Sequence, residues 1–309
     1  TPTCLVTSDV LDSIGHTPLI RMEKMSAESG CAILAKAEFL NPGGSVKDRI
    51  ARHIILEAER RGELRPGSTI VEVTSGNTGI SLAMVGAMRG YKVRILMPRT
   101  VSRERRQMIQ SYGAEVQLLD QVNSMQDSIA ETEKLAESGE DIFLPRQFAN
   151  PDNIEAHRTT TGPEILRQLR DAPDAFVMGV GTGGTVMGVA RAMRDADAST
   201  EIYAVEPTES AVMSGEPRGC HGIQGLADGF IPELMHLRDI DEIIRVSTPD
   251  AIEMSRRIAE FEGLLVGISS GANAAAAMRV ARELGPGHTI VTVLCDRGER
   301  YLSVSEGTA

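Results

Sequence analysis

Thr69-Ile-Val-Glu-Val-Thr-Ser-Gly-Asn-Thr-Gly-Ile-Ser-Leu-Ala-Met-Val-Gly-Ala-Met-Arg89 is the stretch that decides the fold. A β-branched run at 69–73 passes through a loop of small residues, 74–79, into an apolar segment over 80–89 that reads as a helix. The same alternation recurs in both directions. Further strand candidates are 93–97, 115–119, 175–180, 202–205, 264–268 and 289–294, and further helix candidates are 46–61, 102–112, 124–137, 186–194, 249–262 and 272–284. Strands alternating with helices predict a doubly wound α/β protein with parallel sheets. A length of 309 residues exceeds what one core usually holds, so two lobes are expected. The Pro and two Asn in 146–153 suit a boundary, giving a smaller lobe over 37–150 and a larger one from 1–36 plus 151–309. Residues 207–241 break the rhythm at a length that suits a functional loop better than a connector.

Composition narrows the function. The chain is 41% apolar and 24% charged, as ordinary globular proteins are, and its net charge of −11 leaves no basic footprint for nucleic acid or anionic lipid. No run of about 18 apolar residues occurs, and Thr1 to Val10 has neither a basic start nor an apolar stretch. No leader or membrane span is therefore expected, and a cytoplasmic setting is. Cys4, Cys31, Cys220 and Cys295 stand alone, and the six histidines form no HxxxH or HxH, so no metal site is expected.

Three glycine-rich loops open helices after strand candidates: Thr74-Ser-Gly-Asn-Thr-Gly79, Gly179-Val-Gly-Thr-Gly-Gly-Thr185 and Gly267-Ile-Ser-Ser-Gly271. The first turn of a helix offers unpaired N–H groups and the positive end of the dipole, and glycine lets backbone approach a phosphate. Each loop alone is equally a tight strand-to-helix turn; three at one sheet edge suggest a ligand, because such sheets bind beyond the carboxyl ends of their strands. Gly179, Gly181 and Gly184 also satisfy G-x-G-x-x-G, with Glu206 placed as a ribose acid, so a dinucleotide-dependent oxidoreductase is the competing class. Against it, the motif lies mid-chain, and the hydroxyls of Thr182 and Thr185 suit a monophosphate.

Only five lysines stand among 32 basic residues, and Lys47 is singular among them. It follows the turn Asn41-Pro-Gly-Gly44 and the N-cap candidate Ser45, in the first turn of a helix, where a cation opposes the dipole. Such a lysine is either solvated or a nucleophile whose basicity the helix lowers. A Schiff-base lysine together with a phosphate cradle meets the needs of pyridoxal phosphate.

At this point the motifs combine. Asn41-Pro-Gly-Gly-Ser-Val-Lys-Asp-Arg-Ile50, Thr74-Ser-Gly-Asn-Thr-Gly-Ile80, Gly181-Thr-Gly-Gly-Thr185, Ile223-Gln-Gly225, Gly229-Phe-Ile-Pro232, Gly267-Ile-Ser-Ser-Gly271 and Gly298-Glu-Arg-Tyr-Leu-Ser303 resemble, in order and spacing, the cysteine synthase (O-acetylserine sulfhydrylase) family. The resemblance runs from Ile14-Gly-His-Thr-Pro-Leu19 to Ser303. It implies the tryptophan synthase β-like fold (fold-type II), with pyridoxal 5'-phosphate in the cleft between two lobes, the smaller of them mobile. It implies that Lys47 binds the cofactor and moves the substrate α-proton, and that Asn77 meets the cofactor's 3'-oxygen. Thr74, Ser75, Asn77 and Thr78 would clamp the substrate carboxylate, assisted by Gln147, with Gly225 also at the substrate. Gly181, Thr182, Gly183, Gly184 and Thr185 would form the phosphate cup, and Ser269, or its neighbour Ser270, would face the pyridine nitrogen. A neutral serine there delocalises a carbanion less than an aspartate would and favours loss of a β-substituent. The implied reaction is β-replacement, in which O-acetyl-L-serine loses acetate to give an α-aminoacrylate that adds sulfide or a related sulfur donor. A homodimer, and serine acetyltransferase as a partner, are implied as well.

One stretch departs from the family pattern. Where relatives commonly read Ile-Gly-Ala-Gly-Phe after Ile223-Gln-Gly, this chain reads Leu226-Ala-Asp-Gly-Phe230. Asp228 is a solvent-facing loop acid, a group for a cationic substrate, or an acid/base for a thiol leaving group, and the last would make the enzyme an L-cysteine β-lyase releasing hydrogen sulfide. Arg218 is either solvated or a contact for a phosphorylated donor such as O-phosphoserine. The ending Cys295-Asp-Arg-Gly-Glu-Arg300 resembles the branch of the family that takes larger sulfur donors. A catalytically silent relative is disfavoured because Lys47 is present.

Overall fold

The computed structural model describes residues 7–99, 101–119, 124–137 and 139–302; Cys4 and Ser303 lie outside the described residues. In chain order the strands are β1 (Leu19–Arg21), β2 (Ala32–Ala37), β3 (Thr69–Val73), β4 (Lys92–Pro98), β5 (Glu115–Leu119), β6 (Ile142–Phe143), β7 (Ala175–Gly179), β8 (Glu201–Pro207), β9 (Glu242–Val246) and β10 (Thr289–Leu294). They form two sheets. The larger is ordered β1-β2-β10-β7-β8-β9 and is parallel except for β1 against β2, while the smaller is ordered β5-β4-β3-β6 and wholly parallel.

Both sheets are covered on both faces, which is why burial is continuous along β3, β7 and β10, apart from the first residue of β3 and of β10, rather than alternating. One face of the larger sheet packs on the helix Ile268–Leu284, whose run of alanines lets it lie close, and the other buries Phe176, Met178 and Val291 with Val186 and Val189 of the helix Gly184–Asp195. The smaller sheet carries the helices Lys47–Arg61 and Asn77–Arg89 on one face, through Ile50, Ile54 and Leu82. On its other face Val71, Val73 and Leu96 meet the helix Met125–Ala136 through Met125 and Ile129.

Several elements differ from expectation. The strand expected over 264–268 is absent: Val266 makes only an isolated bridge to Arg297, and a helix begins at Ile268. Leu265 is exposed there, so the apolar run reflects a surface side chain beside a helix start rather than a buried strand. The helices expected from Ile80, Val186 and Ala272 begin at Asn77, Gly184 and Ile268 instead, because the small polar loop residues fold into their first turns. The helix expected over 249–262 is α-helical over Thr248–Arg257 and passes into a π-helical turn, Ile258–Glu262.

A buried ion cluster ties the layers together. Arg49 forks onto Glu38 at 2.6 and 2.8 Å and onto Glu164 at 2.7 and 2.8 Å, while Lys36 reaches Glu164 at 2.7 Å. Burial works against the ionised carboxyl of Glu164, yet Arg49 and Lys36 hold it down at about 2. The cluster joins β2, the helix Lys47–Arg61 and the helix Gly162–Gln168, and every charge in it has a bonded partner. Arg49→Met should cost about 3–5 kcal/mol, because it leaves the buried Glu38 carboxylate without a cation and Glu164 with Lys36 alone. Urea unfolding at neutral pH measures this, and a loss below about 1 kcal/mol would contradict the account.

Candidate active site

The turn before Lys47 is built from its own side chains. Asp48 accepts the Gly43 N–H at 2.6 Å and the Ser81 hydroxyl at 2.5 Å, and the Asn41 side chain donates to the Glu38 and Ser45 carbonyls. The Ser45 hydroxyl accepts the Lys47 N–H at 3.2 Å, but the N-cap position falls on Val46, which has no capping side chain, so Ser45 stands one residue ahead of the cap expected of it. These bonds deliver Lys47 into a cleft between the sheets that is also lined by Thr74, Ser75, Asn77, Thr78, Gln147, Gly181, Thr182, Gly225 and Asp228. Deeper in the same cleft Lys47 meets Gly183, Thr185, Ser269 and Cys295.

The loop 179–185 fits a phosphate. A Cβ at Gly181 would fall 2.3 Å from the Gly225 carbonyl oxygen, and one at Gly184 would fall 1.8 Å from Asn153 Oδ1, so the backbone lies bare where any side chain would collide. Gly183 has a φ of +84°, which turns the chain into the helix Gly184–Asp195, whose first N–H groups have no partner within the helix. Thr182 and Thr185 add hydroxyls, held by Asn153 at 3.0 Å and His157 at 3.1 Å. Burial pushes His157 down to about 3, so its imidazole is neutral, and what the loop offers an anion is dipoles rather than charge.

Lys47 is the reactive candidate. Burial lowers its basicity, which Asp228 partly restores, and among the described residues no carboxylate lies within ion-pairing distance of its amine. A neutral amine fraction is what a nucleophile and base requires. Asp228 shares this cleft instead of facing solvent, and burial pushes its carboxyl up to about 6, moderated by Lys47. Cys295 is pushed by burial to about 12 and stays a thiol. Of the two serines it is Ser269 that lines the cleft, while the Ser270 hydroxyl accepts the Cys295 N–H at 2.9 Å from a fully buried position.

Gln147 ties the loop 74–78 to the end of β3. It accepts the Thr78 hydroxyl at 2.6 Å and donates to the Val73 carbonyl at 3.1 Å, while its backbone N–H goes to Glu72 at 3.1 Å. Arg218 is exposed and does not line this cleft, as a solvated arginine would not. Glu206 is not available to a ribose, because its oxygens accept the N–H groups of Met213 at 2.8 Å and Ser214 at 3.0 Å. Arg105, Phe148 and Tyr301 also line the cleft and escaped sequence reasoning as site residues. Tyr301 lay within a quoted motif, whereas Arg105 sits in an ordinary charged helix with no local signal.

Residues 10–296 match the family described as pyridoxal-phosphate dependent enzyme. The chain belongs to that family. A cysteine synthase of Staphylococcus aureus is 48% identical over 296 residues, covering 96% of this chain and 95% of that one. The crystal structure of a cysteine synthase from Entamoeba histolytica superposes with a TM-score of 0.94 at 40% identity, covering 100% of this chain and 93% of the other. That of a hydrogen sulfide-producing enzyme from Fusobacterium nucleatum gives 0.91 at 40% identity, covering 96% and 100%. The fold is therefore fold-type II, and the dinucleotide reading falls with the commitment of Glu206 and with the family.

Glu72 gives the site a testable pH signature. Burial pushes its carboxyl up to about 7, partly opposed by the Gln147 and Val73 amides. The native state therefore keeps a proton that the unfolded chain has already lost, and stability drains away as the pH rises from about 4.5 to about 7. Between those limits the unaltered protein should lose about 3 kcal/mol relative to Glu72→Gln. Urea midpoints of both proteins at several pH values test this, and parallel curves would refute it.

Proposed function

We propose that this enzyme forms L-cysteine from O-acetyl-L-serine and sulfide, or a related sulfur donor, by pyridoxal 5'-phosphate-dependent β-replacement. The observation that carries the reading is a desolvated Lys47 amine without an ion-pair partner, set between a bare-backbone phosphate cup and the small-residue loop 74–78. The 48% identity to a cysteine synthase supports the substrate assignment.

In this reading Gly181, Thr182, Gly183, Gly184 and Thr185 hold the cofactor phosphate, Asn77 and Ser269 contact its ring, and Lys47 anchors it. When bound, pyridoxal phosphate supplies the electron sink for charge left at the substrate Cα. Thr74, Ser75 and Thr78 hold the substrate carboxylate at the start of the helix Asn77–Arg89, with Gln147 fixing Thr78 and Gly225 alongside. Lys47 takes the Cα proton, acetate departs from Cβ with its bonding electrons, the sulfur nucleophile adds at Cβ, and Lys47 returns a proton to Cα. Closure of the loop 74–78 over the substrate, with movement of the smaller lobe, excludes water from that exchange. The proposal extends to a homodimer and to serine acetyltransferase as a partner at the same cleft.

The test is the visible spectrum of the purified protein. Protein supplied with pyridoxal phosphate should be yellow, change on adding O-acetylserine and recover with sulfide. Lys47→Ala should lose the response and about 10²- to 10⁴-fold of the cysteine-forming rate. A protein that never takes up the cofactor would end the proposal.

A second reading rests on Asp228. With a carboxyl near 6 in the same cleft as Lys47, Asp228 can pass a proton to or from a sulfur at Cβ and so release hydrogen sulfide from L-cysteine. Asp228→Asn should lower sulfide release from L-cysteine by about 10²-fold and cysteine formation by less than about threefold. Equal effects on the two rates, or none on either, would remove Asp228 from the chemistry.

A further inference from the structure

Asn77 is held between two opposite charges. Its Oδ1 accepts from Arg300, and its Nδ2 donates to Asp296 Oδ2 at 2.7 Å. An amide has one acceptor oxygen and two N–H donors, and its orientation is usually free to flip. Here a flip would turn the oxygen onto a carboxylate and the NH₂ onto a guanidinium, so the two charges forbid it. One polar hydrogen is left uncommitted, on a side chain that lines both the shallow and the deep parts of the cleft.

Asp296 itself is rigidly set. It is fully buried, its Oδ2 also accepts the Tyr301 hydroxyl at 2.5 Å, and its backbone carbonyl accepts the Gly267 N–H at 3.1 Å. Its Oδ1 has no hydrogen-bond partner and lies 2.1 Å from where a Cβ at Gly267 would be, so that glycine makes room for the carboxylate. Arg300 is anchored by the Gly43 carbonyl in the turn that precedes Lys47. Asp296 bridges to Ser45 in the same turn. The segment 296–301 thus touches the lysine turn, the loop opening at Gly267 and Asn77 together.

We propose that Asp296 and Arg300 are positioning residues: they lock the Asn77 amide so that it offers the cleft an N–H and never its oxygen, which favours the ionised form of a ligand oxygen placed against it. The inference rests on reading the cleft as the pyridoxal phosphate site with Asn77 at the ring oxygen.

The test titrates the visible absorption of the protein loaded with pyridoxal phosphate, comparing the unaltered chain with Asp296→Asn, Arg300→Met and Arg300→Lys. In the first two variants the conversion of the visible band to the near-ultraviolet one should move upward by about one pH unit, a tenfold change in ionisation. Arg300→Lys, which keeps the cation, should restore most of the shift. Loading of the unaltered protein with unchanged midpoints in Asp296→Asn and Arg300→Met would overturn the inference and leave the site reading intact. Failure of the unaltered protein to load would overturn both. If neither variant folds by circular dichroism, hydrogen exchange at the Asn77 side-chain amide of the unaltered loaded protein decides: protection supports the lock, and exchange as fast as at exposed asparagines refutes it.

Discussion

Two residues beyond Lys47, Arg49 is gripped by Glu38 at the end of β2 and by Glu164 across the larger unit, with Lys36 completing the charge balance. Four charges out of water are tolerable only because each is paired and hydrogen-bonded. The consequence is positional. The helix Lys47–Arg61 packs its apolar face on the smaller sheet, while its first turn is bolted to the larger one. Whatever Lys47 does, it does from the seam between two cores, at a place fixed by charge geometry rather than by loop packing.

The other walls of the cleft meet this seam for a reason common to parallel sheets. Strand β3 ends at the loop 74–78, β7 ends at the loop 179–185, and β10 ends at the segment 295–301, which pairs with the loop around Gly267. Carboxyl ends of parallel strands lie on one edge, and helix starts follow them, so unpaired N–H groups converge there. Into this cluster of dipoles the chain sets one amine, Lys47, and one carboxylate, Asp228, each perturbed toward its neutral form by burial. Burial moves the amine and the carboxyl each in the direction that proton exchange near neutral pH requires, which is what lets β-replacement and sulfide release be considered for the same cleft.

Much of the fold was legible because period and punctuation agreed. Strands β3, β4, β5, β7, β8 and β10 lie where short β-branched runs meet glycine or proline; Asn77 and Thr182 sit at the helix starts that follow β3 and β7, while Lys47 and Ser269 lie in the first turns of helices that follow loops. Strands β1, β2, β6 and β9 were not foreseen. Strand β6 is two residues long, and β2 carries Lys36 in its middle, a charge that reads as surface until Glu164 is seen to pair with it. The opposite error occurred at 264–268, where an apolar run proved to be a helix approach with an exposed leucine.

The linear order of residues by itself determined the layered architecture, the three anion-ready loops and the singular lysine, because those are local properties of period, turn chemistry and residue type. Only the tertiary structure decided that Asp228 shares the cleft with Lys47, that Ser269 and not Ser270 faces it, and that Glu206 is spent on loop amides. Only it brought Asp296 and Arg300 onto Asn77, more than two hundred positions away. The physical reason is that burial and pairing are properties of a neighbourhood. A carboxylate's protonation, an amide's orientation and a serine's outlook are set by groups from distant strands, and no spacing along the chain encodes them.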